Sequence, residues 1–518
     1  MLFSRFCLAA AMLALHVTFV HSAETETASR PNVLMICIDD LNDWVEPLGG
    51  HPQAKTPAMK RLAERGVNFR NAHCQSPLCN PSRTSLMTSR RPSSTGIYGL
   101  KPWFRDLPEL QKVVSLPQHF SNAGYRTLTA GKVYHNSLGR KPPAGAEPEF
   151  DEWGPRGGPG IMPKEKLVPE TPAGNLRLVD WGVFPHEDNQ KGDYIVASWA
   201  EQAIADLPDD GKPFFLSVGF FLPHVPCIVT QKWWDMYPDE SLVMPVMKPN
   251  DRDDCSPFSW FLHWNLPEPR LTWLEHHQQH RSLVRSYLAS ISFVDAQVGR
   301  VLDALESSPF KDNTIIVLWS DHGWHLGEKE MTGKNTLWEP STRVPLIFAG
   351  PGIQPGTCDE PAELLDVYPT LADLAGLNAP ADIDGISLTP QIADVTTPRS
   401  RPAITEHNPG NMGIRDRRFR FIRYADGSEE LYDVERDPNE FNNVIADPQY
   451  TEAAERLRKF VIADPEPLAP DSAARVLDKR SDGWYWEGKR IDTENPPMYS
   501  GQFSKGQFSK AGAAGGPQ

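Results

Sequence analysis

Five apolar runs, four of which end in polar or charged residues, limit the folds open to this chain more than any other feature. A continuous apolar run, as opposed to an alternating one, is typical of a strand buried on both faces of a parallel sheet. We therefore predict buried strands in PNVLMICIDD (31–40), YRTLTAGKVYH (125–135), PFFLSVGFFLPH (213–224), NTIIVLWSDHG (313–323) and VPLIFAG (344–350).

Helical periodicity occurs between these runs. TPAMKRLAERG (56–66) has helical spacing before a glycine, and residues 281–306 predict a long amphipathic helix. Strands that alternate with helices predict an α/β fold with a large, mostly parallel central sheet flanked by helices. Ligands of such folds bind at the carboxyl ends of the strands, where this sequence places Asp39, Asp40, Lys132, His135, His224, Asp321 and His322.

The pattern of predicted elements changes past about residue 385. FRFIRYADGSEELYDVE (419–435) predicts a hairpin with its turn at Asp426-Gly427, and residues 450–462 predict a helix. We therefore expect a main domain over 31–384 and a smaller α+β subdomain with an antiparallel sheet over 385–495. The last segment, 496–518, contains GQFSK twice in tandem and is predicted to be disordered.

The N-terminal segment 1–22 has the features of a signal peptide: an arginine, a short apolar run and a small-residue cleavage site. The alternative is a membrane anchor, but the run is short for a span and polar residues follow it at once. We therefore expect an exported protein, periplasmic or secreted, with no stable membrane insertion. The net charge of −15 argues against nucleic-acid binding.

Seven cysteines are too few and too scattered for a disulfide scaffold. Cys7 belongs to the predicted signal peptide, and Cys227 with Cys255 is one possible bridge. The sequence contains no Cys-x-x-Cys pair and no Cys/His spacing typical of a zinc site.

Two predicted strand ends carry acids. Adjacent carboxylates at Asp39-Asp40 repel each other and are costly near a core unless a cation neutralises them. The alternative is a solvated pair with capping roles. The second acidic strand end, at Asp321, favours a metal site, because one ion needs ligands from separate strands. Carboxylate oxygens suit Ca²⁺ or Mg²⁺ and not zinc.

Cys79 is followed by Asn-Pro-Ser-Arg in SPLCNPSRTSLMTSRRP (76–92). Asn80 is expected to cap a helix and Pro81 suits its first turn, which places Cys79 near a helix N-terminus that attracts anions. Arg83 then shares a face with Cys79. The cysteine could pair with Cys74, remain a buried thiol, act as a thiolate nucleophile, or be modified.

Cys-x-Pro-x-Arg is also the pattern in which one enzyme family oxidises its cysteine to formylglycine. With ICIDD, GYRTLTAGKVYH, VGFFLPHVP, SDHGWHLGE and TRVPLIFAGPG, it makes residues 31–460 resemble the type I sulfatases of the alkaline-phosphatase-like superfamily. Lys-x-x-His at 132–135 and His322, where many sulfatases have Asn, are similar to the iduronate-2-sulfatase branch. The resemblance implies an alkaline-phosphatase-like sandwich and a catalytic role for the main domain.

The resemblance also implies the roles of individual residues. Asp39, Asp40, Asp321, His322 and the group derived from Cys79 would hold one Ca²⁺. Arg83 would steady the modified residue, and the sulfate would be surrounded by Lys132, His135, His224 and Lys334. Asp321 would take the first proton, His224 would protonate the leaving alcohol, and His135 would be the base for elimination of sulfate. Cys79 would need a formylglycine-generating or anaerobic maturation enzyme as a partner.

The expected substrate is a sulfated carbohydrate, with the 2-O-sulfate of a uronic acid as the specific prediction. The stretches 136–190 and 233–275 are expected to form pocket loops, and a polyanion could be received by Arg415, Arg417, Arg418, Arg420 and Arg423. Alternatives are a sulfatase for another polysaccharide or a small ester, a phosphohydrolase on the same fold, and a non-catalytic glycan-binding relative. The sequence predicts no oligomeric state.

Overall fold

An eight-stranded sheet forms the centre of the chain in the computed structural model, which describes residues 30–135, 147–263, 266–486 and 488–491. The predicted signal peptide and C-terminal tail lie outside the described residues. The strands of this sheet are β1 (Asn32–Ile38), β2 (Gly66–Phe69), β3 (Arg126–Gly131), β4 (Glu152–Trp153), β5 (Phe214–Phe220), β6 (Thr314–Ser320), β7 (Leu346–Ala349) and β8 (Gly356–Cys358).

The strand order is β8-β2-β7-β6-β1-β5-β3-β4, and β7 alone runs antiparallel to its neighbours in this sheet. All seven residues of the central strand β1 are buried. Its last residue, Ile38, pairs with Phe220 of β5 on one side and with Ser320 of β6 on the other. The three strands therefore end level, and the residues that follow them emerge side by side.

Helices cover both faces of the sheet. Alternate residues of β1 belong to two separate cores, Leu34, Ile36 and Ile38 to one and Val33, Met35 and Cys37 to the other. The longer helices are α1 (Pro57–Ala63), α2 (Cys79–Thr88), α3 (Leu116–Asn122), α4 (Gly192–Asp206), α5 (His280–Glu306), α6 (Val367–Leu374) and α7 (Thr451–Arg458). Helices α1, α4 and α5 pack on the first core, and α2, α3 and α6 on the second. The predicted helices at 56–66 and 281–306 are confirmed.

A four-stranded antiparallel sheet follows, made of β9 (Ala403–Glu406), β10 (Met412–Arg415), β11 (Phe419–Arg423) and β12 (Glu429–Asp433). The predicted hairpin is β11–β12, and Gly427 in its turn has a φ of 94°. Helix α7 packs on this sheet through Ala454 and Leu457. The α/β fold class with a smaller C-terminal α+β part is confirmed.

Shorter elements complete the described chain. Short helices span Pro92–Thr95, Gln231–Trp234, Leu271–His276, Glu339–Thr342 and Thr389–Ala393. Small strand pairs join Ala72–His73 to Ala362–Glu363, Trp181–Val183 to Cys227–Val229, and His325–Leu326 to Thr332–Gly333. A last three-stranded sheet comprises Asp478–Arg480, Gly483–Trp486 and Lys489–Arg490. In the described ranges, no helix combines the length and apolarity needed to cross a bilayer.

The possible Cys227–Cys255 bridge is wrong. All six cysteines in the described part of the chain are buried free thiols. Cys227 belongs to the core on one face of the central sheet, whereas Cys255 belongs to a separate cluster with Tyr432. The two thiols lie in different cores, so a disulfide cannot join them without rearranging the fold.

Candidate active site

Acidic side chains from two strand ends meet at the carboxyl edge of the central sheet. Asp39 and Asp40 follow β1, and Asp321 and His322 follow β6. The Asp321 Oδ1 atom accepts hydrogen bonds from the backbone N–H groups of Asp40 (3.1 Å) and His322 (3.0 Å), which tie the two ends together. Asp40 has a φ of 59°, so the chain turns sharply directly after the strand.

Three of these side chains, together with Cys79, form a group that fits a cation. Asp39, Asp40, Cys79 and His322 are buried, and one ligand atom of each lies within 4.8 Å of the others. Among the residues that the structure describes, Asp40 Oδ2 is buried without a hydrogen-bond partner. A buried, unpartnered carboxylate oxygen beside a second carboxylate suits a hard cation such as Ca²⁺. Asp321 is not in this group, and its role as a ligand stays a prediction.

Cys79 was predicted to lie near the N-terminus of a helix and is the first residue of α2, whose ten residues are all buried. The expectation that Asn80 caps the helix is wrong. Leu78 holds the N-cap position without a side-chain cap, and the Asn80 amide donates instead to the carbonyls of Gly99 and Pro102, each at 2.9 Å. Asn80 therefore holds the 99–102 loop against the start of the helix.

Arg83, one turn further along α2, connects the two acidic strand ends. Its Nη2 atom donates to Asp39 Oδ1 at 2.9 Å and its Nε atom to Asp321 Oδ2 at 2.8 Å. Its Nη1 atom donates to the carbonyls of Lys132 and Val133. A planar fork can serve several acceptors at once, so Arg83 fixes the relative positions of the acids and of the segment that carries Lys132.

Cationic and imidazole side chains surround the Cys79 sulfur. Lys334 Nζ lies 3.2 Å from Sγ, Lys132 Nζ 3.8 Å and His322 Nε2 3.3 Å, and His135 forms a further hydrogen bond to it. Burial alone would raise the pKa of the thiol, but the charges of Lys132, Lys334 and His322 outweigh it and hold the pKa of Cys79 well below its usual value. The position therefore stabilises negative charge on the group at residue 79.

The segment that carries Lys132 and His135 depends on the close approach of Gly131 to Gly219 and on a buried ion pair between Arg105 and Glu149. A Cβ at Gly131 would lie 1.8 Å from the Gly219 carbonyl oxygen, so only glycine allows β3 to turn so close to β5. Next to it, the Tyr134 hydroxyl donates to Glu149 Oε2 at 2.6 Å, and Glu149 is paired with the fully buried Arg105. These contacts set the backbone from which Lys132 and His135 project.

His224 stands at the end of β5, across from the acids. Its Nε2 atom lies 4.0 Å from Asp39 Oδ2 and 3.9 Å from Asp40 Oδ2, and its Nδ1 atom is 2.5 Å from the Val225 carbonyl oxygen. Because Nδ1 donates to that carbonyl, the Nε2 atom faces the cluster. The structure thus brings all ten predicted site residues to one edge of the sheet.

A cavity of about 370 Å³ opens above Cys79, His135, His224 and Lys334. Its lining combines apolar side chains, among them Leu100, Leu176, Leu178, Val179, Val225, Leu266 and Trp324, with the polar side chains of Glu268, Asn335, His407, Asn408 and Arg475. The expectation that 136–190 and 233–275 supply pocket loops is confirmed for the described residues near 176–179 and 266–268. No sequence signal marked Glu268 or Arg475, because both lie on irregular segments far from any motif.

The five arginines expected to receive a polyanion all have carboxylate partners. Arg415 and Arg420 pair with Glu339, Arg418 with Asp433, Arg423 with Glu429, and Arg417 with Glu360. Arg415 and Arg420 are buried, whereas Arg417, Arg418 and Arg423 are 68%, 38% and 37% exposed. Their part in receiving a polyanion stays a prediction.

Comparison with known proteins agrees with this geometry. Residues 31–377 match the sulfatase family model, and residues 327–464 match the model for the C-terminal part of N-sulphoglucosamine sulphohydrolase. The first match covers well over half of the chain. The second begins within the loops that follow β6 and extends through the antiparallel sheet.

Three characterised relatives align over most of the chain. A sulfatase of Formosa agariphila is 40% identical over 83% of this chain and 86% of its own length. A choline-sulfatase of Rhizobium meliloti is 31% identical (82% and 84% covered), and human iduronate 2-sulfatase is 29% identical (68% and 70% covered).

A solved structure described as a 2-O GAG sulfatase superposes with a TM-score of 0.64 at 25% identity, covering 83% of this chain and 90% of that one. The family model, the relatives and the superposed structure agree on one family. The chain therefore belongs to the sulfatase family, the type I sulfatases of the alkaline-phosphatase-like superfamily, and is a sulfuric ester hydrolase.

Proposed function

We propose that this sulfatase hydrolyses O-sulfate esters of a sulfated carbohydrate, with the 2-O-sulfate of a uronic acid as its expected substrate. One observation carries the proposal: the buried Cys79 sulfur, surrounded by lysine and histidine side chains, lines a cavity whose other lining residues are both apolar and polar. A sugar ring has an apolar C–H face and a polar rim, which suits such a mixed lining. The relatives described as iduronate 2-sulfatase and 2-O GAG sulfatase support the uronate.

The reacting group is proposed to be formylglycine made from Cys79 by a maturation enzyme. Its hydrate supplies one hydroxyl that attacks the sulfur atom and a second whose deprotonation expels sulfate. Lys132 and Lys334 lie within 4 Å of the residue 79 side chain and would bind the sulfate oxygens. Asp39, Asp40 and His322, with Asp321, would hold one Ca²⁺, which supplies further positive charge when bound.

Two histidines are proposed to move protons. His224 lines the cavity, and with Nδ1 bonded to the Val225 carbonyl its Nε2 atom can protonate the leaving alcohol. His135 contacts the position 79 side chain and is proposed as the base that expels sulfate. The proton of the attacking hydroxyl was predicted to go to Asp321. Both oxygens of Asp321 accept hydrogen bonds from Arg83 or the backbone, so this step needs the exchange of one of them.

The first test is sulfate release, with Ca²⁺ present, from 2-O-sulfated uronate disaccharides and from 4-O- and 6-O-sulfated hexosamines. Release from the 2-O-sulfated uronates, absent in Cys79→Ala, is expected. Release from another sugar alone would keep the reaction and reject the uronate. Mass spectrometry of the peptide that contains residue 79 should show the mass of an aldehyde in place of a thiol. An unmodified thiol in fully active enzyme would reject formylglycine.

A second candidate substrate is a small sulfate ester. The apolar lining residues favour it, because Leu100, Leu176 and Leu178 are 41%, 43% and 44% exposed and line the same cavity. A relative is described as a choline-sulfatase. Choline sulfate therefore belongs in the substrate panel, and turnover of this ester at the rate of the best saccharide or faster would favour this candidate.

Export and domain organisation are also proposals. Removal of residues 1–22 on passage out of the cytoplasm would leave a mature protein that starts near Ala23, which N-terminal sequencing of the exported protein tests. Limited proteolysis tests the proposed boundary near residue 384 between the main domain and the smaller subdomain. Cleavage first at internal loops of the main domain would contradict that boundary.

A further inference from the structure

Glu268 lines the Cys79 cavity, on an irregular segment that hydrogen bonds hold in place. Its own carbonyl oxygen accepts a hydrogen bond from Arg270 Nη1 at 3.2 Å, and the Pro269 carbonyl accepts one from the Thr332 hydroxyl. A Cβ at Gly333 would lie 2.9 Å from Glu268 Cγ. Gly333 therefore leaves room for the Glu268 side chain, directly beside Lys334.

One oxygen of the Glu268 carboxylate lacks a hydrogen-bond partner. The residue is only 8% exposed, and within the described parts of the chain its Oε2 atom has no hydrogen-bond partner. The charge of the nearby Arg270 lowers the pKa of this carboxyl group, which burial raises, but the guanidinium donates its hydrogen bonds to the carbonyls of His263 and Glu268. Lys334 is also engaged, with Asp40 and Cys79.

A buried carboxylate without a partner costs stability. Folded proteins satisfy nearly all such groups, and an exception inside a ligand cavity points to a partner that arrives with the ligand. A carboxylate there accepts hydrogen bonds and repels anions. The group that it faces in the complex must therefore be a hydrogen-bond donor and cannot be a second sulfate or a carboxylate.

We infer that Glu268 accepts a hydrogen bond from a hydroxyl group of the alcohol part of the substrate and thereby determines which sulfate esters bind productively. The inference rests on the proposed function, which places the sulfate at residue 79. Leu176 and Leu178, which line the same cavity, offer apolar surface to the C–H face of the ring, and Glu268 offers an acceptor to one of its hydroxyls. An ammonium group is the other donor that a carboxylate accepts, and the test separates the two.

The experiment compares kcat/KM for three esters. A 2-O-sulfated unsaturated uronate disaccharide offers hydroxyls, 2-aminoethyl sulfate offers an ammonium group, and p-nitrophenyl sulfate offers no donor. In Glu268→Ala, the ratio of the disaccharide value to the aryl value should fall about 10- to 100-fold, the size of a lost hydrogen bond to a charged acceptor. Glu268→Gln keeps a carbonyl acceptor and should lower the ratio less. The control Glu330→Gln replaces a carboxylate whose pKa is also raised by burial but which lies outside the cavity, and should leave the ratio unchanged.

A structural role for Glu268 predicts a different pattern. The Tm of Glu268→Gln should change little, because the Oε2 atom has no hydrogen-bond partner to lose. A lower Tm with equal losses on all three esters would overturn the inference, and so would an unchanged ratio. If the ratio of the 2-aminoethyl sulfate value to the aryl value falls and the disaccharide ratio does not, the partner of Glu268 is an ammonium group and the inferred hydroxyl is overturned.

The same experiment shows separately whether the proposed uronate substrate is wrong. In that case wild-type enzyme hydrolyses p-nitrophenyl sulfate but not the disaccharide. The same ratio is then measured with a 6-O-sulfated hexosamine, which also offers hydroxyls. A fall in Glu268→Ala supports the inference on Glu268 although the uronate is rejected, and an unchanged ratio overturns both.

Discussion

Arg83 Nε lies 2.8 Å from Asp321 Oδ2, and both side chains are almost completely enclosed. The same guanidinium reaches Asp39 on the neighbouring strand end and the carbonyl oxygens at 132 and 133. One residue of the Cys-x-Pro-x-Arg pattern thus connects helix α2, both acidic strand ends and the segment that bears Lys132. Its position next to the group at residue 79 is a structural consequence of the spacing of the pattern, since Cys79 and Arg83 are one helical turn apart.

Replacing Arg83 by lysine should disable this connection. A lysine ammonium cannot contact Asp39 and Asp321 with the geometry of a fork, so at least one buried carboxylate loses its partner. Breaking a buried ion pair costs roughly 3–5 kcal/mol. We expect a lower Tm in thermal unfolding and a loss of kcat/KM of at least about 100-fold, because the acids and Lys132 lose their common anchor.

Arg417→Lys is the matched control. Arg417 is 68% exposed and its nearest carboxylate oxygen, on Glu360, lies at 3.4 Å, so the change should alter stability by less than about 1 kcal/mol. If Arg83→Lys melts and turns over like Arg417→Lys, the guanidinium does not organise the site.

Removal of divalent cations should lower both stability and activity. Without an ion, Asp39 and Asp40 remain buried next to each other, and their charges are offset by the amines of Lys132 and Lys334 and by the Arg83 guanidinium. A ligand present at about 1,000 times its Kd stabilises the folded state by roughly 4 kcal/mol. Dialysis against EGTA should therefore lower the Tm and abolish sulfate release, and Ca²⁺ should restore both.

Asp40→Asn shows whether this effect arises at the proposed site. The Asn variant loses one of the carboxylates around the cation, so its Tm should respond weakly to EGTA and to added Ca²⁺. A wild-type Tm that does not change with EGTA would reject a resident cation, and an equal response in wild type and Asp40→Asn would place the ion elsewhere. Mg²⁺ tested in parallel with Ca²⁺ distinguishes the two hard cations.

The sequence predicted most of what lies on the parallel strands. Asp39, Asp40, Asp321 and His224 were placed correctly, because a fully buried strand is a continuous apolar run and its end is marked by the first polar residues. Since parallel strands end at the same edge, strand identity was enough to bring these residues together. The direction of a strand could not be predicted in this way. Strand β7 is as apolar as its neighbours but runs antiparallel to them, and local sequence does not encode that.

Residues whose roles depend on long-range contacts could not be predicted in this way. Asn80 has the residue type of a cap, but its amide is drawn to carbonyls 19 and 22 positions away. Helix α4 was missed because its tyrosine, valine and tryptophan positions do not form the clear stripe seen in α5. Glu268 and Arg475 reach the cavity from irregular segments, where neither periodicity nor a motif marks a side chain.

Asp295 should make stability depend on pH. This residue of α5 accepts hydrogen bonds from the backbone N–H groups of Ala58 and Met59, both at 2.9 Å, at the start of α1. Burial raises the pKa of its carboxyl group to about 7, although the two N–H groups oppose the shift. Because the folded state holds this proton more tightly than the unfolded state, the stability that it contributes is present at low pH and is lost as pH rises from about 4 to about 7.

The comparison that isolates this effect is wild type against Asp295→Asn. The two pKa values differ by about 3 units, so the difference in unfolding free energy should change by about 4 kcal/mol across that pH range, to the disadvantage of wild type at the higher pH. Thermal unfolding at several pH values measures it. Asp303→Asn, at an exposed carboxyl group on the same helix, should follow the wild-type profile. A constant difference between wild type and Asp295→Asn would contradict the raised pKa.

Glu363 should be essential for the attachment of the antiparallel sheet. Its buried carboxylate accepts Arg91 at 2.7 Å, Arg399 at 2.9 Å and Arg401 at 3.2 Å, and also the Ile404 backbone N–H at the start of β9. Burial opposes ionisation, but the three arginines outweigh it and lower the pKa of Glu363 to about 2. Its contribution to stability is therefore present above about pH 4.5 and is lost as pH falls toward 2.

Glu363→Gln removes the charge and leaves three buried or half-buried guanidinium groups without it. We expect a cost of roughly 3–5 kcal/mol at neutral pH, seen as a lower Tm, together with a weaker loss of stability on acidification than in wild type. Glu435→Gln, at a carboxylate that is 72% exposed and 3.6 Å from Arg418, should cost less than about 1 kcal/mol. Since Arg91 follows α2 whereas Arg399 and Arg401 precede β9, early release of the antiparallel sheet in Glu363→Gln would appear as preferential proteolysis near residues 394–402. Uniform loss of the whole fold, with no early cleavage there, would show that the carboxylate stabilises the molecule as one unit and does not secure one attachment.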